Sequence, residues 1–235
     1  QIKSVHPELR DFCRDYLIAD TKADFSIALT EEDILAEQTN TQDMAYTPQY
    51  LETLAALRKI SLTLPSYNRF LMHGASISYG PNAYLFTAPS GTGKSTHIRL
   101  WKKYLGNEVD IINGDKPILS IDPGNDSAEM DIRIHGTPWA GKERWQKNRS
   151  VSLKGICFLR QSKENKIRQL EPAESLPLLL RQIYIPETQE AAGLTLELLN
   201  LLLLNIPIYI LDCTISEEAV KCSFEALTRL PYTNC

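Results

Sequence analysis

The sequence predicts an α/β fold. Short apolar segments that suit strands alternate with longer amphipathic segments that suit helices, and one strand runs through a glycine-rich loop straight into a helix. With 235 residues, the chain is long enough for one well-buried domain and too short for two ordinary enzymes in series. Since we see no internal repeat or clear linker, we expect a single domain over residues 1–235.

Composition excludes several classes of partner. The net charge is −4, with 43% hydrophobic and 23% charged residues, so the chain has no global attraction for nucleic acid or for an anionic membrane. The longest apolar run, "LELLNLLLLNIPIYIL", is interrupted by polar residues and a proline, which is not typical of a membrane span. We therefore expect no nucleic-acid partner and no membrane partner.

The cysteines indicate a reducing compartment. They are odd in number and widely spaced, without a CxxC pair, at Cys13, Cys157, Cys213, Cys222 and Cys235. Such a set suits neither a disulfide framework nor a zinc site, so we expect free thiols and a cytoplasmic protein.

The N-terminal part, residues 1–66, is expected to start with β-structure and to end in a helix. The segment Ala23–Thr30, "ADFSIALT", alternates apolar and polar residues for part of its length and predicts a strand, which an acidic stretch at 31–33 follows. From Thr47 the sequence places a capping threonine before a proline and an amphipathic run that Pro65 closes. This pattern predicts a helix.

The central part, residues 67–160, holds the glycine-rich loop. Two apolar segments, "FLMHGASISYG" and "AYLFTA", are joined by Gly80–Asn82 and predict paired strands. A helix is predicted over Ser95–Leu105, where a glycine ends it. The segments "VDIINGD" and "KPILSID" predict two more strands, the polar segment Gly136–Ser152 predicts a loop or short helix, and "LKGICFLR" predicts a further strand.

The C-terminal part, residues 161–235, is expected to contain three helices and one strand. The helices are predicted near Ala173–Tyr184, near Glu187–Leu204 and over Ser216–Leu230, the last with its serine as N-cap and acidic residues in its first turn. The segment "IPIYIL" predicts a strand between the second and third of these helices.

The glycine-rich loop reads APSGTGKS, Ala88–Ser95, against the phosphate-loop pattern G-x-x-x-x-G-K-[ST]. Gly91 and Gly93 allow backbone conformations in which consecutive N–H groups point toward an anion, and the helix that follows adds its positive dipole end. Ala88 replaces the first glycine, which is tolerable where its φ is negative. We therefore predict a nucleotide site, and the alternative is a glycine-rich turn whose lysine is only solvated.

The residues assigned to that site have separate roles. Lys94 is placed to reach the β and γ phosphates, and Ser95 to offer its hydroxyl to Mg²⁺. ATP and Mg²⁺ are therefore the expected cofactors. The predicted nucleotide-binding residues are Ser90, Gly91, Thr92, Gly93, Lys94, Ser95 and Thr96.

The stretch "FLMHGASISYGPNAYLFTAPSGTGKSTHIRLW" resembles the nucleotide core of HPr kinase/phosphorylase and of ATP-dependent phosphoenolpyruvate carboxykinase. In that family a strand carrying a histidine runs beside the loop strand, and an acidic motif follows at a strand end. Here these are "MHG", with His73, and "NGDKP", with Asp115. The resemblance covers Phe70–Pro117 and implies a mixed-sheet P-loop core of the HPr kinase C-terminal domain or phosphoenolpyruvate carboxykinase type, flanked by helices.

The chain departs from this family at two places. Where the family has two adjacent acids, Lys116 stands in the second position. The segment "IHGTPWAGK" lies where HPr kinases carry a signature, of which Gly136 is nearly all that matches, and Arg133 replaces the Mg²⁺-binding glutamate. Glu129 and Asp131 are nearby substitutes for that second metal contact.

Asp115 follows the strand "VDIIN" and is expected to project toward the phosphates. It is a candidate to bind Mg²⁺, as a ligand beside Ser95, or to accept the proton of an attacking hydroxyl. The alternative is a turn aspartate that caps its own backbone.

His73 lies near the phosphates by resemblance. As a lone histidine on an apolar strand, it is alternatively a hydrogen-bonded structural group. Asp115, His73 and Lys94 are predicted catalytic residues.

A basic cluster lies in the loop segment, at Lys142, Arg144, Lys147 and Arg149. A lysine or arginine there can stabilise charge on a transferring phosphoryl group or clamp an anionic acceptor, and we select Lys142 and Arg144 as further catalytic candidates. The alternative is a solvated charged face. The two neighbouring tryptophans favour a structured acceptor or lid loop.

These features predict an ATP-dependent kinase of the HPr-kinase type that transfers the γ-phosphoryl group of Mg-ATP to a hydroxyl. We expect the acceptor to be a serine of a peptide or protein, other than HPr itself. One alternative is a nucleotide-binding or ATPase module without kinase activity, which Lys116 and Arg133 keep open. Carboxykinase chemistry is a second alternative, which needs a much longer chain. A homo-oligomer is also left open.

Overall fold

The computed structural model describes residues 1–19, 21–40, 46–124 and 129–233. The chain divides into two compact units, Gln1–Leu64 and Pro65–Cys235. The sequence predicts one domain whose N-terminal part ends at residue 66. The glycine-rich loop belongs to the second unit.

The first unit is mainly helical. Its elements are β1 (Ile2–Lys3), α1 (Glu8–Phe12), β2 (Ile27–Ala28), α2 (Glu31–Asn40) and α3 (Pro48–Thr63). The two short strands pair in parallel. Glu52 of α3 is fully buried and accepts hydrogen bonds from the backbone N–H groups of Val5, at 2.6 Å, and His6, at 3.0 Å. This buried carboxylate fastens the N-terminal segment to the longest helix of the unit.

The predicted β-rich start is wrong. Only Ile27–Ala28 of the predicted strand Ala23–Thr30 is extended in a sheet, because its partner β1 has just two residues. Thr30 instead begins α2: its backbone N–H donates to Asp33 Oδ2 at 2.8 Å, and its hydroxyl accepts from Asp33 N at 3.3 Å. The acidic stretch is thus the first turn of a helix, where negative charge is favourable. The predicted helix α3 is confirmed, with the Thr47 hydroxyl accepting from Tyr50 N.

The second unit is a nine-stranded sheet with helices on both faces. Its strands are β3 (Arg69–Leu71), β4 (Ala75–Tyr79), β5 (Asn82–Thr87), β6 (Val109–Asn113), β7 (Ile118–Pro123), β8 (Met130–His135), β9 (Ser150–Gln161), β10 (Lys166–Gln169) and β11 (Ile208–Cys213). Its helices are α4 (Lys94–Leu105), α5 (Pro172–Leu180), α6 (Gln189–Asn205) and α7 (Glu217–Thr228).

The sheet is mixed, as the family resemblance implied. The order is β3-β7-β8-β9-β5-β4-β6, and β9 is its long central strand. On one side, β9 pairs in parallel with β5. On the other side, the first residues of β9 pair with β8 in antiparallel orientation, and its second half pairs in parallel with β11. The edge strand β10 pairs with β11 in antiparallel orientation. The loop strand β5 therefore lies beside the most central strand, and its C-terminal end lies among the ends of several strands.

Two hydrophobic layers cover the two faces of the sheet. Along β5, Ala83 and Leu85 belong to the layer under α5 and α6, whereas Tyr84 and Phe86 belong to the layer under α4 and α7. Burial on both faces explains why the segment "AYLF" is continuously apolar rather than alternating. Trp101 of α4 is fully buried and donates its indole N–H to Ser223 of α7 at 2.9 Å. The loop helix is thus locked onto the last helix.

Most predicted elements of the second unit are confirmed, with shifts at their ends. The helix predicted to reach Tyr184 ends at Leu180, because Gln182 N closes a turn on Leu179 and Ile183 then pairs with Met72 in an antiparallel bridge. Ser216 caps α7 as predicted, accepting from Ala219 N.

The described cysteines agree with the expectation of free thiols. Cys13, Cys157, Cys213 and Cys222 are unpaired with one another, and Cys235 lies outside the described residues. Burial raises the pKa of Cys13 to about 11, which makes its thiol a poor nucleophile. Over the described ranges, none of the helices has both the length and the apolar character that crossing a bilayer requires.

Candidate active site

The glycine-rich loop has the backbone of a phosphate cradle. Gly91 and Gly93 have φ of +80° and +112°, and a Cβ at either would meet no atom within 4 Å, so conformation rather than space requires glycine there. Gly93 is the N-cap of the twelve-residue helix α4 and makes no side-chain cap. Ala88 is buried, and it is not among the non-glycine residues of positive φ in the described part of the chain. Alanine is therefore accommodated in the place of the first glycine.

Lys94 lies buried inside the loop. Its Nζ donates to the carbonyl oxygen of Ala88 at 2.9 Å and to that of Pro89 at 3.4 Å. Burial lowers the pKa of Lys94; the charge of Asp115 opposes this shift and that of Lys116 adds to it. The amine is thus bound to carbonyl groups of its own loop, and the charge of Asp115 acts on it to favour the protonated form.

Asp115 lies in the turn that follows β6, and Asn113 builds that turn. The buried Asn113 side chain accepts from the backbone N–H of Asp115 at 2.9 Å and of Lys116 at 2.8 Å through its Oδ1. The side chain that caps the backbone of this turn is therefore Asn113. The alternative in which Asp115 is a turn aspartate gave that role to Asp115. The Asp115 side chain is left to pair with His73, at 3.3 Å, and with Lys116, at 3.9 Å.

His73 pairs with Asp115. Its Nε2 lies 3.3 Å from Asp115 Oδ1, and its Nδ1 lies 3.1 Å from Gln182 Oε1. Backbone bonds fix the ring's position, since His73 N donates to the Gln182 carbonyl at 2.7 Å and Thr87 Oγ1 donates to the His73 carbonyl at 2.7 Å. The prediction that His73 lies on a strand is wrong: it occupies the connection between β3 and β4, where the pairing of β3 with β7 ends and that of β4 with β5 begins.

The surroundings of Asp115 keep its carboxyl ionised. Burial alone would raise the pKa of Asp115, but the hydrogen bond from His73 and the positive charges of Lys116, His73 and Lys94 outweigh it and hold the pKa below its usual range. At neutral pH the group is therefore a carboxylate, which is the form that binds a cation or accepts a proton.

The segment between β8 and β9 is a structured loop that packs on the Asp115 turn. Trp139 and Trp145 accept, through their carbonyls, from Lys116 N at 3.1 Å and Gly114 N at 2.9 Å. Gly114 has no room for a side chain, since a Cβ would lie 2.7 Å from the carbonyl of Ala140. The predicted loop is thus confirmed, and its backbone is fixed against the acid-bearing turn.

Thr137 adds side-chain contacts to the same junction. Its hydroxyl donates to the Lys116 carbonyl at 2.7 Å, and its own carbonyl accepts from Asn113 Nδ2 at 2.9 Å. Gly141, with φ of +74°, brings the loop directly over Asp115, because a Cβ there would lie 3.2 Å from Asp115 Cβ.

The predicted basic cluster is divided in two. Lys147 and Arg149 pair with Asp110 of β6, at 2.8 and 3.3 Å, and serve to hold the loop on the sheet edge. Lys142 and Arg144 follow Gly141 in the turn above Asp115, where both are exposed.

Arg133 and Asp131 lie on β8 and interact with each other. Arg133 stands where the family has its Mg²⁺-binding glutamate, and Asp131 is one of the two nearby substitutes for that second metal contact. The Arg133 guanidinium donates to the Ser150 hydroxyl at 2.8 Å and lies 3.6 Å from Asp131. A role of Asp131 or Glu129 in metal binding stays a prediction.

The residues assigned to Mg²⁺ are Ser95, in the first turn of α4, and Asp115. In the described ranges no three His, Cys, Asp or Glu side chains converge into a metal cluster. Mg²⁺ is typically held by one or two carboxylates together with substrate phosphate oxygens, so a site built from a hydroxyl, one carboxylate and phosphate is consistent with its coordination chemistry.

Sequence reasoning missed several residues of this site. Gln182 comes from the far side of the chain, 109 positions after His73, and has no local signal. Gln161, at the end of β9, donates to the Thr92 carbonyl at 3.2 Å and supports the loop. Asn113 could have been found, because asparagine before Gly-Asp is a common turn-building residue.

A cleft of about 650 Å³ runs along the outer edge of the loop. Its walls combine the loop residues Pro89–Thr92 with apolar side chains of three other elements, Phe158 of β9, Ile210 of β11 and Leu178 of α5. Binding pockets for small molecules are usually apolar with a few polar groups, and this cleft has that character.

No protein-family model matches the sequence, and no curated protein matches it. Among solved structures, the chain is similar to the Hpr(Ser) kinase/phosphatase from Coxiella burnetii, with a TM-score of 0.35 and 10% sequence identity over 68% of this chain and 93% of that chain. At that TM-score the likeness says nothing about what this chain does.

Proposed function

We propose that the chain is an ATP-dependent kinase that transfers the γ-phosphoryl group to a hydroxyl, in the first instance a serine of a peptide or protein. One observation carries the proposal: the carboxylate of Asp115 is paired with His73 at 3.3 Å, and its charge acts on Lys94, the lysine of the phosphate loop. A kinase needs a site that binds the phosphates of ATP and, beside it, a base that can accept the proton of the acceptor hydroxyl.

The residues of the loop are suited to binding a nucleoside triphosphate. Two glycines in the left-handed region, an uncapped helix N-terminus and a lysine beneath them are what an oligophosphate requires. Ser90 to Thr96 would hold the phosphates, and the apolar cleft beside the loop offers a surface for the base. Ser95 would hold Mg²⁺ together with the phosphate oxygens, whose charge the ion neutralises when it is bound, and binding the ion is the alternative role of Asp115 to that of base.

Phosphoryl transfer requires three functions from residues of this chain: a base, a group that orients the base and a cation. Asp115 would take the proton of the acceptor hydroxyl as its oxygen bonds to the γ-phosphorus, while the bond to the β–γ bridging oxygen breaks and ADP leaves with that electron pair. His73 holds the Asp115 carboxylate in place through the 3.3 Å contact. Lys94, released from the Ala88 and Pro89 carbonyls, would stabilise negative charge on the transferred group.

The experiment compares wild type with Lys94→Ala and Asp115→Asn. Mg-ATP should raise the melting temperature of wild type and Asp115→Asn but not of Lys94→Ala. Transfer of label from γ-labelled ATP to a library of serine-containing peptides should occur with wild type alone. An unchanged melting shift in Lys94→Ala would exclude the loop as the nucleotide site, and full transfer by Asp115→Asn would exclude Asp115 as the base.

A nucleotide-binding module without transfer is the second candidate. The observation that favours it is Lys116, which stands where the resembling family has a second acid, so that a lysine rather than a second carboxylate lies beside Asp115, at 3.9 Å. For this candidate the same experiment would give a Mg-ATP melting shift that Lys94→Ala abolishes, together with no labelled peptide from any variant.

A further inference from the structure

Lys116 is a cation that the nucleotide site does not need. Its Nζ lies 3.9 Å from Asp115 Oδ2, and its charge reaches Lys94 as well. Two lysines thus share one carboxylate, in a chain whose net charge is −4. Since Lys94 belongs to the phosphate loop, the charge of Lys116 is left for another ligand.

Lys116 is fixed through its backbone to the β6–β7 turn and to the segment between β8 and β9. Its backbone N–H is held by Asn113 Oδ1 at 2.8 Å and by the Trp139 carbonyl at 3.1 Å, and its carbonyl accepts from Thr137. These bonds attach Lys116 to the segment between β8 and β9 rather than to the loop. In-line transfer places the acceptor and the leaving oxygen on opposite sides of the phosphorus, so the acceptor would approach from the side of Asp115 and Lys116.

Two more cations belong to the turn that begins at Gly141, the glycine packed on Asp115. Gly141 contacts Asp115, and the turn it begins carries Lys142 and Arg144, both exposed. The other two cations of this loop are neutralised by Asp110, whereas the turn over Asp115 keeps its charges on the surface.

We propose that the acceptor carries its own oxyanion, a carboxylate or a phosphate close to the reacting hydroxyl, and that Lys116, with Lys142 and Arg144, binds it. This inference rests on the proposed kinase function and specifies the substrate class for it. The oxyanion adds a second anionic partner to Lys116, beside Asp115 Oδ2 at 3.9 Å, and fixes the hydroxyl near Asp115. A neutral hydroxyl compound of the same shape has no such partner.

The test measures binding, which does not depend on turnover. The probes are two matched pairs that differ in charge: N-acetyl-L-serine against N-acetyl-L-serinamide, and sn-glycerol 3-phosphate against glycerol. Dissociation constants are determined by ligand-observed NMR, without nucleotide and with ADP and Mg²⁺. We expect at least one anion to bind about tenfold tighter than its neutral partner, the effect of one partly desolvated charge contact. Preference for the carboxylate pair or the phosphate pair identifies the source of the oxyanion.

Variants of Lys116 test whether this lysine causes the preference for the anionic ligand. Lys116→Gln should remove the preference for the anion, and Lys116→Arg should retain most of it. The exposed Lys103 in the last turn of α4 supplies the control, because Lys103→Gln makes the same change of charge away from the loop and should leave the preference intact. If Lys116→Gln fails to fold, the double variant Lys142→Gln with Arg144→Gln should still weaken anion binding.

Equal binding of both members of each pair to wild type would overturn the inference, as would an anion preference that Lys116→Gln and the double variant leave unchanged. These results are separate from the kinase proposal, which fails if Mg-ATP gives no melting shift or if Asp115→Asn transfers phosphate normally.

Discussion

Asp115 Oδ1 lies 3.3 Å from His73 Nε2, although the two residues come from different connections of the sheet. The backbone repeats this link, since Gly74 N donates to the Asp115 carbonyl at 2.9 Å. The pair therefore joins the β3–β4 connection to the β6–β7 turn, and it does so directly beside the phosphate loop. Its consequences can be measured.

Replacing His73 should impair transfer more than nucleotide binding. In His73→Ala, Asp115 loses a hydrogen bond that orients it, so we expect transfer to fall by about 10- to 100-fold, in the range of a group that orients a base. The melting shift with Mg-ATP should persist. A variant that loses stability but keeps wild-type transfer per folded molecule would assign His73 a structural role only.

Adding one methyl group at Gly141 should disturb Asp115. The new Cβ would lie 3.2 Å from Asp115 Cβ, and the φ of +74° is unfavourable for alanine by about 1 kcal/mol. Gly80→Ala is the matched control, because Gly80 has φ of +57° and nothing within 4 Å of its Cβ. Both variants should lose similar stability in urea unfolding, and only Gly141→Ala should lose transfer activity. Equal activities would mean that the turn adjusts without moving Asp115.

Asn113 should be essential to the acid-bearing turn. Asn113→Ala leaves the N–H groups of Asp115 and Lys116 and the carbonyl of Thr137 without this buried partner, at a cost of about 1–3 kcal/mol for each group left unsatisfied. Asn113→Asp keeps an acceptor for the two N–H groups but sets a carboxylate against the Thr137 carbonyl. We expect both variants to be destabilised in urea unfolding. Wild-type stability in either would show that solvent replaces the amide.

Protein stability should fall in acid because of His97. This histidine of α4 is buried against Phe86 and contacts Ser223 Oγ at 3.0 Å, and its burial lowers its pKa to about 3, from 6.5 in the unfolded chain. Between these values the unfolded state binds the extra proton, so stability is fully present above pH 6.5 and declines as the pH falls toward 3. The slope from this one group is about 1.4 kcal/mol per pH unit.

The measurement compares unfolding free energies of wild type and His97→Gln from pH 7 to pH 4. All other titrating groups are common to both proteins, so the difference between the two curves reports His97. The stability of the variant should change less steeply with pH, and parallel curves would contradict the depressed pKa.

The sequence by itself determined the elements whose signals are local. The strand–loop–helix order around APSGTGKS, the cap at Thr47 and the cap at Ser216 depend on residues a few positions apart, and all three appear as predicted. The α/β class followed from the succession of short apolar and longer amphipathic segments, which reports burial whatever the pairing, whereas the mixed sheet was what the family resemblance implied.

Tertiary structure decided what depends on contacts distant in sequence. Gln182 reaches His73 across 109 positions, and Lys116 obtains its place in the site from the loop that carries Trp139. The basic cluster shows the same division, because only the fold brings Asp110 to Lys147 and Arg149 and leaves Lys142 and Arg144 on the turn above Asp115. Local propensity fixes which residues become strands and turns, whereas the pairing of strands and the packing of loops fix which side chains meet.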